Sequence, residues 1–182
     1  MEKKLSQDEK IWHERYSKKN LKRLGIKTGD KILDFGCGSG NITLPAAEIV
    51  GEEGEIIAVD RDEEALNHLR QNIVRRNFGN ISTFNNTHDS ILDFKEASMD
   101  RVMLFDVYHE LENKARHFEN FQYLLKKDGD FIVYAPHVED KSKVIKKCTE
   151  ANFDYKSKNK LMILHNNNLT EGLIFKFKMA ND

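Results

Sequence analysis

Two short apolar runs dictate most of what this chain can become. Lys31–Phe35 reads KILDF and Glu55–Asp60 reads EIIAVD, and each is of strand length. Near-continuous apolar runs without polar alternation belong to strands covered on both faces. The first run passes straight into three glycines at alternate positions, Gly36, Gly38 and Gly40, before a helix over residues 41–50. A strand, a glycine turn and a helix start bring backbone N–H groups close to whatever occupies the turn.

The rest of the chain repeats the alternation. Gln7–Leu24 reads as a helix with Trp12, Tyr16 and Leu24 near one face, stopped by Gly25. Asp62 is an N-cap for a helix whose buried stripe is Ala65, Leu69 and Ile73, with Glu63 and Glu64 in its first turn. Strands are expected at Ile81–Asn85, 100–107 and Asp130–Tyr134, the last entered through an Asp128-Gly129 turn. Helices are expected at Leu111–Lys126 and Glu139–Ala151. Asp154–His165 and Glu171–Met179 form an antiparallel hairpin turning at Asn166-Asn167-Asn168.

Strands alternating with helices predict an α/β fold: a doubly wound, mostly parallel sheet with helices on both faces and an antiparallel C-terminal hairpin. In such sheets ligands bind at the carboxyl ends of the strands, at the switch point. The glycine stretch lies there.

Composition narrows the function. At 182 residues with 32% charged and 39% hydrophobic residues, the chain is sized for one domain and one sizeable core. A formal net charge of −1 offers no general attraction to nucleic acid or acidic membranes. Lysines do gather near Lys18–Arg23 and at Lys141–Lys147, but with few interleaved aromatics, so these read as solvated faces. Two cysteines build no disulfide framework, the first residues lack a signal-peptide core and no apolar run is of membrane-spanning length. A cytoplasmic enzyme or binding protein is expected.

The glycines differ from the dinucleotide fingerprint G-x-G-x-x-G by one residue less between the last two. Their flanks are more telling. Asp34 stands just before them, and Asp60 ends the next strand twenty residues beyond Gly40. An acid at the end of that strand accepts hydrogen bonds from both ribose hydroxyls of an adenosine. An acid beside the glycines repels a pyrophosphate but suits a ligand with an ammonium group. Adenosine joined to an amino acid satisfies both.

With these residues in view, the chain resembles the class I S-adenosylmethionine-dependent methyltransferases, in particular the small ubiquinone-biosynthesis-like ones. KILDFGCGSG (31–40) and IIAVD (56–60) are similar to the first two family motifs. THDSILDF (87–94) resembles the loop after the third strand, with SMDRV (98–102) leading into the fourth. VYHEL (107–111) is similar to the family's V-L-H-(H/E)-L, and LLKKDGDFIVY (124–134) to its entry into strand five. The resemblance covers nearly the whole chain. It implies a Rossmann-like, seven-stranded single domain over 1–182, with residues 1–25 a helical cap on a core of 26–182.

The resemblance also implies roles. Backbone groups of Gly36, Cys37, Gly38 and Gly40 receive the methionine carboxylate, Asp34 faces the ammonium, Asp60 holds the ribose and Arg61 lies against the adenine. The adenine amino group falls to Asp89, the available carboxylate, with His88 beside it, although aligned backward from Phe94 the position is His88. Phe105 and its neighbours at the end of strand four border the sulfonium. Tyr108 stands where the family usually has leucine, and with His109 is the expected catalytic pair. Imidazole titrates near neutrality, which suits a base for a protonated acceptor. Asp106 and Glu110 lie beside them, and His137 follows strand five.

Metal is not expected. Catechol-type methyltransferases hold magnesium with an acid after strand four, which Asp106 could supply, and an Asp-Asn pair after strand five, where this chain has Tyr134-Ala135-Pro136-His137; no zinc-ligand spacing links the seven histidines and two cysteines. The motif of amino-group methyltransferases, with its paired prolines after strand four, is also absent. The leading expectation is methyl transfer to a small molecule. A non-catalytic adenosylmethionine-binding regulator, an RNA- or protein-directed methyltransferase and an NAD-type oxidoreductase are the alternatives.

Overall fold

The computed structural model describes residues 5–87 and 92–180. Its apolar runs become the centre of one sheet. β1 (Lys31–Phe35), β2 (Glu55–Asp60), β3 (Ile81–Asn85), β4 (Met99–Phe105), β5 (Leu125–Tyr134), β6 (Phe153–His165) and β7 (Asn168–Met179) lie in the order β3-β2-β1-β4-β5-β7-β6. The first five are parallel neighbours. β7 runs antiparallel to both β5 and β6. β6 therefore points the same way as β1, and its last residue reaches the same edge of the sheet as the ends of β4 and β5.

Alternate residues of the central strands face opposite layers, as the pleat requires. Leu33, Val102, Leu104, Phe131 and Val133 pack with Phe118 and Phe121 of α5 (Lys114–Leu124) and Val144 and Cys148 of α6 (Lys141–Glu150). Ile32, Ile56, Met103 and Ile132 pack against Ala46, Ala47 and Val50 of α3 (Thr43–Val50) and against Trp12 and Leu21 of the N-terminal helices. α4 (Glu63–Arg75) covers Ala58 on the same side. β1 leads to β2 on one side of the sheet, while β4 starts on the other. The switch point therefore lies between β1 and β4.

Local details explain the boundaries. Asp62 caps α4 as expected, accepting the N–H groups of Glu64 at 2.9 Å and Ala65 at 3.2 Å. The stripe of α4 is shifted from the expectation: Leu66 and Leu69 are the buried residues, and Ala65 turns to the ligand cavity. The expected first helix is divided into α1 (Gln7–Ile11), a π turn over Trp12–Tyr16 and α2 (Ser17–Arg23). A π turn widens the helix by one residue and rotates the faces of the turns beyond it. α2 closes with Gly25 N–H on Lys22 O at 3.0 Å and Ile26 N–H on Leu21 O at 3.1 Å, the paired bonds of a Schellman end.

β5 starts five residues earlier than its motif suggests. Met99 faces Leu125 and Arg101 faces Asp130, so the expected Asp128-Gly129 turn is absorbed into a bulge within the strand. The hairpin turn is Asn166-Asn167 at φ 50° and 61°, while Asn168 already pairs with His165. Both residues at positive φ make the turn whose twist matches its strands.

The N-terminal helices are tied to this hairpin and to the glycine turn. Leu169 N–H donates to Asp8 at 2.8 Å, Asn20 Nδ2 donates to Met162 O at 2.6 Å, and Trp12 Nε1 donates to Asn41 O at 3.1 Å. Trp12 is fully buried and buttresses the turn from behind. Among the described residues no helix is long and apolar enough to cross a membrane.

Candidate functional site

The turn after β1 is held by β2. Val59 O accepts the N–H groups of Gly36 at 2.7 Å and Cys37 at 3.1 Å. The Asp60 carboxylate then accepts Gly38 N–H at 2.7 Å with Oδ2 and Asp62 N–H at 2.9 Å with Oδ1. A single side chain thus sets both the glycine turn and the start of α4. Gly40 N–H is taken by Cys37 O at 3.1 Å.

The glycines are present for different reasons. At Gly36, φ is 78° and an added Cβ would lie 2.6 Å from Val107 Cβ, so the loop after β4 can approach only a glycine. At Gly38, φ is 52° and an added Cβ would meet nothing within 4 Å, because this glycine faces open space. Gly40 accommodates Leu69 of α4. Of the three, Gly38 is the one that leaves room for a ligand.

That space is a cavity of about 360 Å³, in the size range of small-molecule sites. Gly36, Gly38, Asp60 and Arg61 line it from the side of β1 and β2, and Phe105, Asp106 and Glu110 from the side of β4. Asn86, just past β3 and buried, closes the side. Arg61 Nη2 donates to Glu110 at 2.7 Å, joining the β2 wall to the β4 wall. His88 and Asp89, expected at the adenine, lie outside the described residues.

Asp34 sits beneath the turn and is buried, accepting from the Thr43 hydroxyl at 2.6 Å. Burial raises its carboxyl to about 7, opposed by the Thr43 hydrogen bond and reinforced by the nearby Asp60 charge. A cation in the cavity would relieve that cost. Cys37 is also buried; desolvation and the Asp34 and Asp60 charges push its thiol far up, so it is a packing residue and no nucleophile at neutral pH.

On the β4 side the structure brings together residues that the sequence scatters. Asp106 follows β4 with φ 63°, an uncommon conformation for a residue with a side chain. Its Oδ2 meets His165 Nδ1 at 2.6 Å, and His137 Nε2 stands 3.3 Å from Oδ1. The His137 ring lies 4.3 Å from that of His109 and 4.9 Å from that of His165, centroid to centroid. The loop carrying His137 is fastened by Lys141, whose ammonium donates to the carbonyls of Ala135, Pro136 and Val138 at 2.6–2.9 Å.

His109 thus joins this cluster, whereas Tyr108 turns away. Tyr108 is buried in the core beside Phe118, under the Lys114 ammonium, and desolvation pushes its phenol up to about 12. Sequence reasoning missed His165 because that residue belongs to no motif. The signal available was topological: a strand returning parallel to β5 ends at the ligand edge of the sheet.

A mostly parallel sheet with a glycine turn at its switch point and an acid closing β2 defines a Rossmann-like type of α/β protein. Within that type the chain belongs to the methyltransferase domain family, whose profile matches residues 26–175. It is 38% identical over 87 residues to the probable cobalt-precorrin-6B C(15)-methyltransferase (decarboxylating) of Saccharolobus solfataricus, covering 46% of this chain and 43% of that one. It is 27% identical over 129 residues to the ribosomal protein L11 methyltransferase of Acetivibrio thermocellus, covering 71% and 39%. The matched regions span less than half the length of these relatives. A crystallised SAM-dependent methyltransferase from Aquifex aeolicus superposes with a TM-score of 0.82 over 95% of both chains at 17% identity. A SAM-dependent O-methyltransferase from Thermotoga maritima does so at 0.68 and 19% identity, over 91% of this chain and 65% of that one. At such identities the likeness shows the fold.

Proposed function

We propose that this protein transfers the methyl group of S-adenosylmethionine to a small-molecule acceptor. The observation that carries the reading is the continuity of one cavity from Gly38 and Asp60 to Asp106. The cosubstrate, when bound, supplies a methyl group activated by a positively charged sulfur. The protein's work is alignment and the exclusion of water.

Asp60 holds the ribose with the lone pairs that Gly38 and Asp62 leave free. Arg61 covers the adenine, with His88 or Asp89 at its amino group. Asp34 compensates the ammonium from below, and the backbone around Gly36, Cys37, Gly38 and Gly40 cradles the carboxylate. Phe105 borders the sulfur. The acceptor enters beside Asp106, and the nearby His109 serves as the base for a protonated one. The cavity's volume of about 360 Å³ and the net charge of −1 favour a small acceptor over nucleic acid.

The test is calorimetric titration of the purified protein with S-adenosylmethionine, with its demethylated product and with NAD. Micromolar binding of the first two, lost in Asp60→Ala, supports the reading and opens a screen of acceptors by release of the demethylated product. Tighter binding of NAD, or no binding of either sulfur compound, overturns it.

A further inference from the structure

The three groups Asp106, His109 and His137 each present one donor atom, and these atoms all lie within 4.8 Å of one another. We propose that they form a binding site for a first-row divalent cation such as Zn²⁺, bordering through Asp106 the cavity where the acceptor is expected. Asp106 and His109 stand three residues apart, but His137 follows β5, so only the folded chain completes the site.

Four observations support it. First, Oδ1 of Asp106 is buried and accepts no hydrogen bond from the described residues, while Oδ2 is taken by His165. The nearest group to it is His137 Nε2 at 3.3 Å, and a cation seated between the two would satisfy both. Second, the His165 bond is the kind of outer contact that orients a ligating carboxylate and leaves its other oxygen for the metal. His165 is itself held at Nε2 by Asn166 Nδ2, 3.2 Å away.

Third, Asp106 adopts a left-handed backbone at φ 63°, and such conformations are retained where a side chain must be aimed. Fourth, the two imidazoles can close on a metal. Zinc bonds of about 2.0–2.2 Å need the donors roughly an ångström closer than the present limit. The His109 and His137 side chains are 36% and 43% exposed, on a short turn and a loop, so small rotations suffice. Among the described residues the competing acid is Glu110, whose carboxylate stands 3.8 Å from His109 Nε2 and is already paired with Arg61.

Two imidazoles and one carboxylate without thiolate suit zinc and its neighbours in the first row. Three protein ligands leave at least one coordination position open, as in catalytic rather than structural sites. An acceptor carrying a hydroxyl would fill that position and lose its proton more easily there, the cation then taking over the part given to His109 in the metal-free protein. This last consequence rests on the methyl-transfer reading; the metal site itself does not.

The test is titration of the full, chelator-stripped chain with Co²⁺, followed by its visible ligand-field absorption, and with Zn²⁺ by calorimetry. One metal per chain with micromolar or tighter affinity is expected. His109→Ala, His137→Ala and Asp106→Asn should each weaken it by about tenfold or more. His68→Ala, in an exposed histidine of α4, should leave it unchanged, and circular dichroism and binding of the demethylated cosubstrate report whether each variant is folded. No Co²⁺ spectrum and no Zn²⁺ heat at millimolar metal overturns the proposal. So does binding that survives in the folded His109→Ala/His137→Ala double variant. Metal binding that depends on these residues in a chain that fails to bind any sulfur compound would uphold the site and sink the methyl-transfer reading instead.

Discussion

Asp60 accepts the backbone N–H of Gly38 at 2.7 Å. The side chain expected to read the cosubstrate's sugar is therefore also the one that shapes the glycine turn. Binding and loop geometry should fail together. Asp60→Ala is expected to weaken binding of the demethylated cosubstrate by more than about tenfold, and to lower stability by about 1 kcal/mol for the lost backbone contacts. Calorimetry and denaturant unfolding of the same preparation measure both. Intact affinity in the variant would remove Asp60 from the site.

The glycines separate by experiment. Gly36→Ala forces a methyl group against Val107 at 2.6 Å and holds alanine at positive φ. A loss of about 2–4 kcal/mol in denaturant unfolding is expected. Gly38→Ala meets no atom and should cost about 1 kcal/mol from backbone strain alone. It should nevertheless weaken cosubstrate binding more than Gly36→Ala does in the folded fraction, because its methyl group enters the cavity.

Asp34 predicts a pH effect of unusual sign for a carboxylate. Its carboxyl, raised to about 7 by burial, keeps a proton that the unfolded chain releases near the ordinary value of about 4. The stabilisation is complete below about pH 4 and is lost as pH rises toward about 7. Asp34→Asn cannot release a proton, so it should gain stability relative to the parent as pH rises through that window. Melting temperatures of both chains at matched pH values test this. An ammonium in the cavity should ionise Asp34, so binding below about pH 7 is expected to release a proton. Titration in two buffers of different ionisation heat detects it.

At the opposite end of the sheet, Arg101 is buried in an acidic setting. It bonds Asp130, lies 3.3 Å from Asp30, and donates to Gly25 O at 2.7 Å. Asp130 also pairs with Lys176 at 2.9 Å and Lys178 at 2.8 Å. Arg101→Leu removes the partner of buried Asp30 and should cost about 3 kcal/mol. Cosubstrate affinity of the folded protein should be unchanged, since the network lies at the far ends of the strands. A stability change within experimental error would show that the lysines compensate fully.

Much of this protein was determined by local pattern. Apolar runs of strand length placed β1, β2 and β4, Asp62 announced α4, and the asparagine turn announced the hairpin. In each case the residues that cause the structure are neighbours in the chain. The glycine turn with Asp34 and Asp60 was legible for the same reason: short-range geometry links strand end, turn and helix start. Tertiary structure alone decided the rest. It turned Tyr108 into the core, because the turn after β4 rotates alternate residues between cavity and α5. It divided the glycines between packing and cavity, since only the folded chain brings Val107 and Leu69 against them. It also assembled Asp106, His109, His137 and His165. They come from the ends of β4, β5 and β6, which converge only because β7 inserts antiparallel between β5 and β6 and so returns β6 to the ligand edge. Strand order is set by long-range packing, and no local spacing records it.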